Sequence, residues 1–199
     1  MEGIENVPVD GPVVLAPNHI SFLDSFLLMY GLPRKVLFLG KIEYTKSWKT
    51  SVFPAAGMIP VDRGGKGLVA TLDRATDVLE AGGAIGIFPE GTRSRDGVIH
   101  KGHTGAAHLA VRTEAALVPV GIIGTDVIQP PGTPFPARGG KVRLRFGAPL
   151  DIGGYGTGAS ARRDLTSELM KSIAVLARRA FAPIPAADRP LDSQVGTAR

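Results

Sequence analysis

The chain has 199 residues, enough for one domain around a single core, and no cysteine, which excludes disulfides and thiolate metal sites. Its 23 Lys and Arg outweigh 18 Asp and Glu, for a formal charge of +5, which fits equally an anionic partner (nucleic acid, an anionic membrane or a phosphorylated substrate) and a charge that merely aids solubility. No apolar run approaches the roughly 20 residues that cross a bilayer, and MEGIENVPVDGP lacks the basic-then-apolar order of a signal peptide.

In chain order, PVVLAP (12–17) reads as a short buried strand closed by Pro17. A helix is expected from Ser21, because S-F-L-D has capping-box spacing with Asp in place of the usual Glu or Gln. Phe22, Phe26 and Met29, with Leu23 and Leu27, give it a broad apolar face, and Gly31 and Pro33 end it. KVLFLGK (35–41) is a second strand, and YTKSWKTSVFPAAG (44–57) a short helical or irregular piece broken by Pro54. GMIPVDRGG (57–65) is a strand leaving into a glycine loop. Leu68, Leu72, Ala75 and Leu79 then recur at helical spacing until Gly82 and Gly83 stop the helix.

AIGIFPEGT (84–92) reads as a buried strand feeding a turn, 103–113 as a small-residue helix and ALVPVGIIGT (116–125) as another strand. KVRLRFG (141–147) alternates as a half-exposed strand, and GGYGTG (153–158) is a flexible loop. Leu165, Leu169, Ile173 and Leu176 mark a last amphipathic helix, with Arg178 and Arg179 where the helix dipole favours cations. From Pro183 the composition turns polar and proline-rich, which predicts a disordered tail over 183–199 behind one domain over 1–182. Strands alternating with helices make the class α/β, with a mostly parallel central sheet flanked by helices.

Four stretches carry chemistry. In NHISFLD (18–24), Asp24 falls in the first helical turn and faces back toward His19. A carboxylate there fixes the tautomer of the imidazole and leaves its other nitrogen as a base, the His–Asp part of a triad whose nucleophile the substrate supplies. On this stretch alone the plainer reading, Asp24 as a cap and His19 as a loop residue, is favoured. In GMIPVDR (57–63), Arg63 stands where a strand opens into glycines and a guanidinium suits a phosphate; pairing with Asp62 is the even alternative. In FPEGTRS (88–94), Gly91 permits close backbone approach to an oxyanion or phosphate, Arg93 adds charge, and Glu90 either bonds a substrate hydroxyl or positions Arg93. VPVGI (118–122) is a core strand, with one wall of an acyl-chain pocket as its functional version. His103 and His108 have no convincing metal-ligand spacing with a nearby carboxylate, so no metal is expected.

In this order the four stretches resemble the glycerolipid acyltransferase family, which includes the 1-acyl-glycerol-3-phosphate acyltransferases. NHISFLD matches its N-H-x-x-x-x-D motif, GMIPVDR and FPEGTRS its second and third blocks, and VPVGI its fourth, across residues 10 to 150. The resemblance implies transfer of an acyl group from acyl-CoA or acyl carrier protein to the free hydroxyl of a lysophospholipid. It implies His19 as general base and Asp24 as its orienting partner. Arg63, Glu90, Gly91, Thr92 and Arg93 would bind the glycerol-phosphate acceptor, with no cofactor and no acyl-enzyme. It also implies a cytoplasmic protein, peripheral at the inner face of the plasma membrane. Relatives carry an apolar or amphipathic region before the equivalent of Glu2-Gly3; the expectation is a truncated start, or a surface anchor around Trp48 with Lys46, Lys49 and Phe53. HKGHTGAAH (100–108) stands where many relatives are richer in lysine, leaving Lys101 or His103 to take the electrostatic role. A nucleic-acid module is disfavoured, since three Tyr and one Trp offer little stacking surface. The remaining alternatives are another acceptor (glycerol 3-phosphate, a different lysophospholipid or a glycolipid) and a non-catalytic lipid-binding protein.

Overall fold

The structure is a computed structural model that describes residues 1–41, 58–61, 66–130, 133, 137 and 139–185. Six strands form one sheet: β1 (Val13–Pro17), β2 (Val36–Lys41), β3 (Met58–Val61), β4 (Ala84–Gly86), β5 (Ala116–Ile123) and β6 (Arg143–Phe146). Their spatial order is β3-β2-β4-β1-β5-β6. The first five are mutually parallel, and only β6 runs antiparallel to its neighbour β5. The helices are α1 (Leu23–Gly31), α2 (Lys66–Glu80), α3 (Gly105–Thr113), the single-turn α4 (Thr125–Ile128) and α5 (Ala159–Ala177). The expected class is the observed one: α/β, a mostly parallel sheet with helices on both faces.

Alternation along each strand divides the core into two layers. Val14, Ala16, Ile85 and Leu117 point to the face covered by α2, α3 and α5. Val13, Leu15, Phe38, Val118 and Val120 point to the other, where Leu28 of α1 and the N-terminal Val7 pack. That two-sided burial is why these strands read as unbroken apolar runs. β6 alternates instead, because it lies at the margin of the sheet; its outer backbone is bonded by Glu2, whose amide donates to the Leu144 carbonyl.

Three local expectations shift. The buried face of α1 is not the phenylalanine row. Asp24 and Leu28, one turn apart, are fully buried, while Phe22, Phe26 and Tyr30 form a separate row of ring contacts ending in an exposed tyrosine. Turning Asp24 inward carries its i+4 neighbour in with it. The strand at 84–92 stops at Gly86; the Ile87 amide still donates to the Leu15 carbonyl, after which Phe88-Pro89 turns the chain away. The strand at 116–125 ends at Ile123, and Thr125 opens α4. At the end of α5, Arg178 adopts a left-handed conformation, while Arg179 reaches back to the Gly97 carbonyl and to Asp126. The backbone of 180–184 runs beside 99–101, with the Lys101 amide donating to the Ile184 carbonyl. The piece expected at 44–57, the glycines after Arg63 and the tail beyond Pro185 lie outside the described residues.

Helix α5 crosses β5 closely at Gly121, where an added Cβ would meet the backbone of Leu176 and Ala177. Backbone cannot swing aside as a side chain can. Gly121→Ala is therefore expected to lift α5 off the sheet and destabilise the domain by about 1–3 kcal/mol, measured by chemical denaturation.

Candidate functional site

All of the described chemical stretches leave the carboxyl ends of parallel strands, the edge where open α/β sheets place ligands. NHISFLD follows β1, FPEGTRS follows β4, and the segment after VPVGI follows β5; β1 lies between the other two. Asn18 fixes the first of them. Its buried side chain donates to the Ile122 carbonyl at 3.1 Å and accepts the Ile122 amide at 2.7 Å, replacing a strand partner where β1 has ended.

The next turn is built around the carboxylate of Asp24, which is fully buried. Its Oδ2 accepts the amides of Ile20 at 2.7 Å and Ser21 at 2.8 Å, and pairs with His19 Nδ1 at 2.9 Å. Its Oδ1 accepts the Thr125 hydroxyl at 2.6 Å. Four donors suit an ionised carboxylate, which only accepts. Asp24 thus caps the helix and orients the imidazole together. With Nδ1 carrying the proton toward Asp24, Nε2 keeps its lone pair, and it has no hydrogen-bond partner among the described residues. The ring also stacks on Phe88 with centroids 3.9 Å apart and planes 19° off parallel. Edge and face of the imidazole are therefore both fixed, and the residue remains partly exposed.

Ser21 is committed elsewhere. Its hydroxyl donates toward the backbone and side-chain oxygens of Gln129, each at 3.2 Å, and accepts the Leu23 amide at 3.3 Å. Being almost fully buried as well, it is not placed as a nucleophile.

FPEGTRS wraps over the same end of the sheet. The Gly91 amide donates to the Phe88 carbonyl, closing a turn in which Gly91 has φ +68, a conformation that favours glycine. The Ser94 amide donates to the His19 carbonyl at 2.7 Å, so the two stretches are bonded directly. Thr92 and Arg93 between them are partly exposed, and the Arg93 guanidinium has no ion pair or hydrogen bond among the described residues. Glu90 makes no ion pair with Arg93 among the described residues; it is 4% exposed, and its Oε2 accepts the His100 amide at 3.0 Å. Its Oε1 is buried without a hydrogen bond. Burial pushes the carboxyl up to about 7, opposed mainly by the backbone amides of His100 and His19. The reason for the inward turn is geometric: Gly91 folds the chain back, and the acid before it lies under the loop.

Of the expected site residues, the structure brings His19 and Asp24 into contact and sets Glu90, Gly91, Thr92 and Arg93 in one turn bonded to the His19 segment. Arg63 lies outside the described residues, as do Lys46, Trp48, Lys49 and Phe53. Lys101 and His103 are exposed, and the His103 amide braces the Pro89 carbonyl. Among the described residues no group of three or more His, Asp or Glu could hold a metal ion. Asn18, Phe88 and Thr125 had no assigned role in the sequence, yet each touches this site or its frame.

The raised carboxyl of Glu90 gives a stability prediction. Its folded value, about 7, lies above its ordinary 4.5, so the folded protein holds the proton longer than the unfolded chain does. Stability from this group is complete below about 4.5, declines as pH rises, and is lost above about 7. The difference is at most about 3 kcal/mol. Denaturant titrations across that window are expected to show the decline in the parent protein and a flatter curve in Glu90→Gln.

A family model described as Acyltransferase matches residues 1–123. Over 156 residues the chain is 34% identical to the 1-acyl-sn-glycerol-3-phosphate acyltransferase LPAT1 of Arabidopsis thaliana, covering 75% of this chain and 43% of that one. Over 148 residues it is 32% identical to the Bacillus subtilis 1-acyl-sn-glycerol-3-phosphate acyltransferase, covering 73% and 70%. The crystal structure of the 1-acyl-sn-glycerophosphate (LPA) acyltransferase PlsC from Thermotoga maritima superposes with a TM-score of 0.70 at 28% identity, covering 89% of this chain and 71% of that one. The chain thus spans less than half the length of the plant relative.

Proposed function

The chain belongs to the acyltransferase family, and from that premise we propose that it acylates the free hydroxyl of 1-acyl-glycerol-3-phosphate, giving phosphatidic acid, with acyl-CoA or acyl carrier protein as donor. The observation that carries the reading is an imidazole held at Nδ1 by a buried carboxylate with Nε2 left unbonded among the described residues.

His19 Nε2 takes the proton of the acceptor hydroxyl as its oxygen attacks the thioester carbonyl. The C–O bond forms, the tetrahedral intermediate collapses and the C–S bond breaks. The departing thiolate receives the proton back from the imidazolium, so the base is regenerated. Asp24 stabilises that imidazolium and keeps the proton on the correct nitrogen. The nucleophile comes from the substrate, in keeping with the burial of Ser21. Arg93 and Arg63 supply guanidinium contacts to the acceptor phosphate, and Gly91 and Thr92 shape the turn that offers Arg93. Glu90 supports that turn from beneath.

The acceptor is a lipid, so the protein works at a membrane surface, peripheral on the cytoplasmic side. Among the described residues no helix is long and apolar enough to cross a membrane.

The test is release of free thiol from a series of acyl-CoAs and acyl carrier proteins with a panel of lysolipids, and identification of the product. Turnover with a phosphate-bearing lysolipid is expected; turnover confined to glycolipids or glycerol 3-phosphate would replace the acceptor, and binding without turnover would remove the enzyme reading. His19→Ala is expected to lower the rate by about 10²-fold or more while the fold persists. Arg63→Ala and Arg93→Ala should each raise KM about tenfold for the phosphate-bearing acceptor and less for one lacking phosphate. Equal effects on both acceptors would remove the phosphate contact.

A further inference from the structure

We propose that Thr125 is a positioning residue for the catalytic imidazole, its hydroxyl fixing Asp24 through the carboxylate oxygen that His19 does not use. The proposal rests on the acyl-transfer reading for its rate effect, though not for its geometry.

The two oxygens of Asp24 are unequally served. Oδ2 is shared by His19 and the Ile20 and Ser21 amides; among the described residues Oδ1 accepts only Thr125, at 2.6 Å. Both Asp24 and Thr125 are fully buried, so water cannot readily replace that hydroxyl. A carboxylate bonded through one oxygen can rotate about its Cβ–Cγ bond; bonded through both, its plane is fixed. The direction of the lone pair that meets Nδ1 is then fixed too.

The chain holds Thr125 in place from several sides. Gly124 before it has φ +91, and a Cβ there would collide with the Lys141 carbonyl. Asp126 after it accepts Arg179 at 2.5 Å, which ties α4 to the end of α5 and, through the Gly97 carbonyl, to the loop beyond FPEGTRS. Gln129 ends the turn by accepting the Ser21 hydroxyl. The short helix α4 therefore holds the start of α1 at two points, Thr125 on Asp24 and Gln129 on Ser21. Thr125 is fully buried and its hydroxyl is bonded to Asp24, so its effect on the imidazole travels through that carboxylate. Among the described residues, Glu90, whose carboxyl feels the His19 amide, and Arg93, adjacent in the chain to the Ser94 amide on the His19 carbonyl, are the other charged groups on the segments packed against the imidazole.

Loss of the hydroxyl leaves Oδ1 buried without a donor, and the carboxylate relieves this by turning away from its present plane. His19 then shares a poorer acceptor, and the fraction of rings with the proton on Nδ1 falls.

The experiment compares Thr125→Val with Thr125→Ser in the full chain, by thiol-release kinetics and by ¹⁵N NMR of the His19 ring under conditions where it is neutral. Thr125→Val is expected to lower kcat about tenfold with KM for the lysolipid unchanged, and to shift the ring away from the Nδ1–H tautomer; Thr125→Ser restores most of the rate and the tautomer. If Thr125→Val does not fold, Thr125→Cys, close in size and a weak donor, takes its place with the same expectation. An unchanged tautomer and kcat in a folded hydroxyl-deficient variant would overturn the proposal. So would a Ser variant no better than Val or Cys, since the loss would then be one of packing. If the parent protein shows no acyl transfer at all, the functional reading fails while the tautomer measurement still decides the role of Thr125.

Discussion

A buried carboxylate must find its donors, and Asp24 finds three in the turn just before it and a fourth, Thr125, 101 positions on. Much of the site follows from that requirement. The amides of Ile20 and Ser21 converge on Oδ2 only if the chain after β1 curls tightly before α1 begins. That curl puts His19 at the mouth and Leu28 in the core. Removing the carboxylate would orphan two backbone amides, an imidazole and a hydroxyl together. Orienting the imidazole and capping the helix are thus one interaction.

The sheet order decides which segments can take part. Because β1 lies between β4 and β5, the residue that fixes the imidazole plane (Phe88) and the one that fixes the carboxylate (Thr125) arrive from opposite sides. Each comes from the first few residues beyond a parallel strand, where side chains are no longer committed to the two packed faces. Asn18 joins the sides by bonding both backbone groups of Ile122 after β1 has ended.

What the sequence disclosed follows from the range of the interactions. Strands buried on both faces are continuous apolar runs, so β1, β2 and β5 were legible, and so was the class. His19 and Asp24 are five positions apart, and a helix start brings them together locally; that pair was legible too. Thr125 and Asp24 are separated by 101 positions, and Asn18 and Ile122 by 104, so their meeting depends on a strand order that periodicity does not encode. The α1 face was misjudged because hydrophobicity marked the phenylalanines, whereas the buried acid set the rotation of the helix. From the sequence, Glu90 reads as bonding a substrate hydroxyl or positioning Arg93; its burial and its bond to the His100 amide depend on how the loop folds after the left-handed Gly91, which residue types alone do not encode.

Two acids consequently flank His19, and they are treated oppositely. Asp24, on the ring, has donors on both oxygens, three on Oδ2 and one on Oδ1. Glu90 accepts the His100 amide on Oε2 while Oε1 is buried without a hydrogen bond, and burial outweighs its few donors and holds its carboxyl up to about 7. On the acyl-transfer reading proposed above, the asymmetry suits a base that must give its proton back: one anion aligned with Nδ1 steadies the imidazolium, and a second full charge nearby would slow the return of that proton to the departing thiolate. Desolvation disfavours that second charge without removing the acid, whose oxygen still bonds the loop that carries Thr92 and Arg93. The same residue type therefore serves as fixed counter-charge on one side and as largely structural hydrogen-bonding group on the other, according to how many donors the surrounding backbone provides.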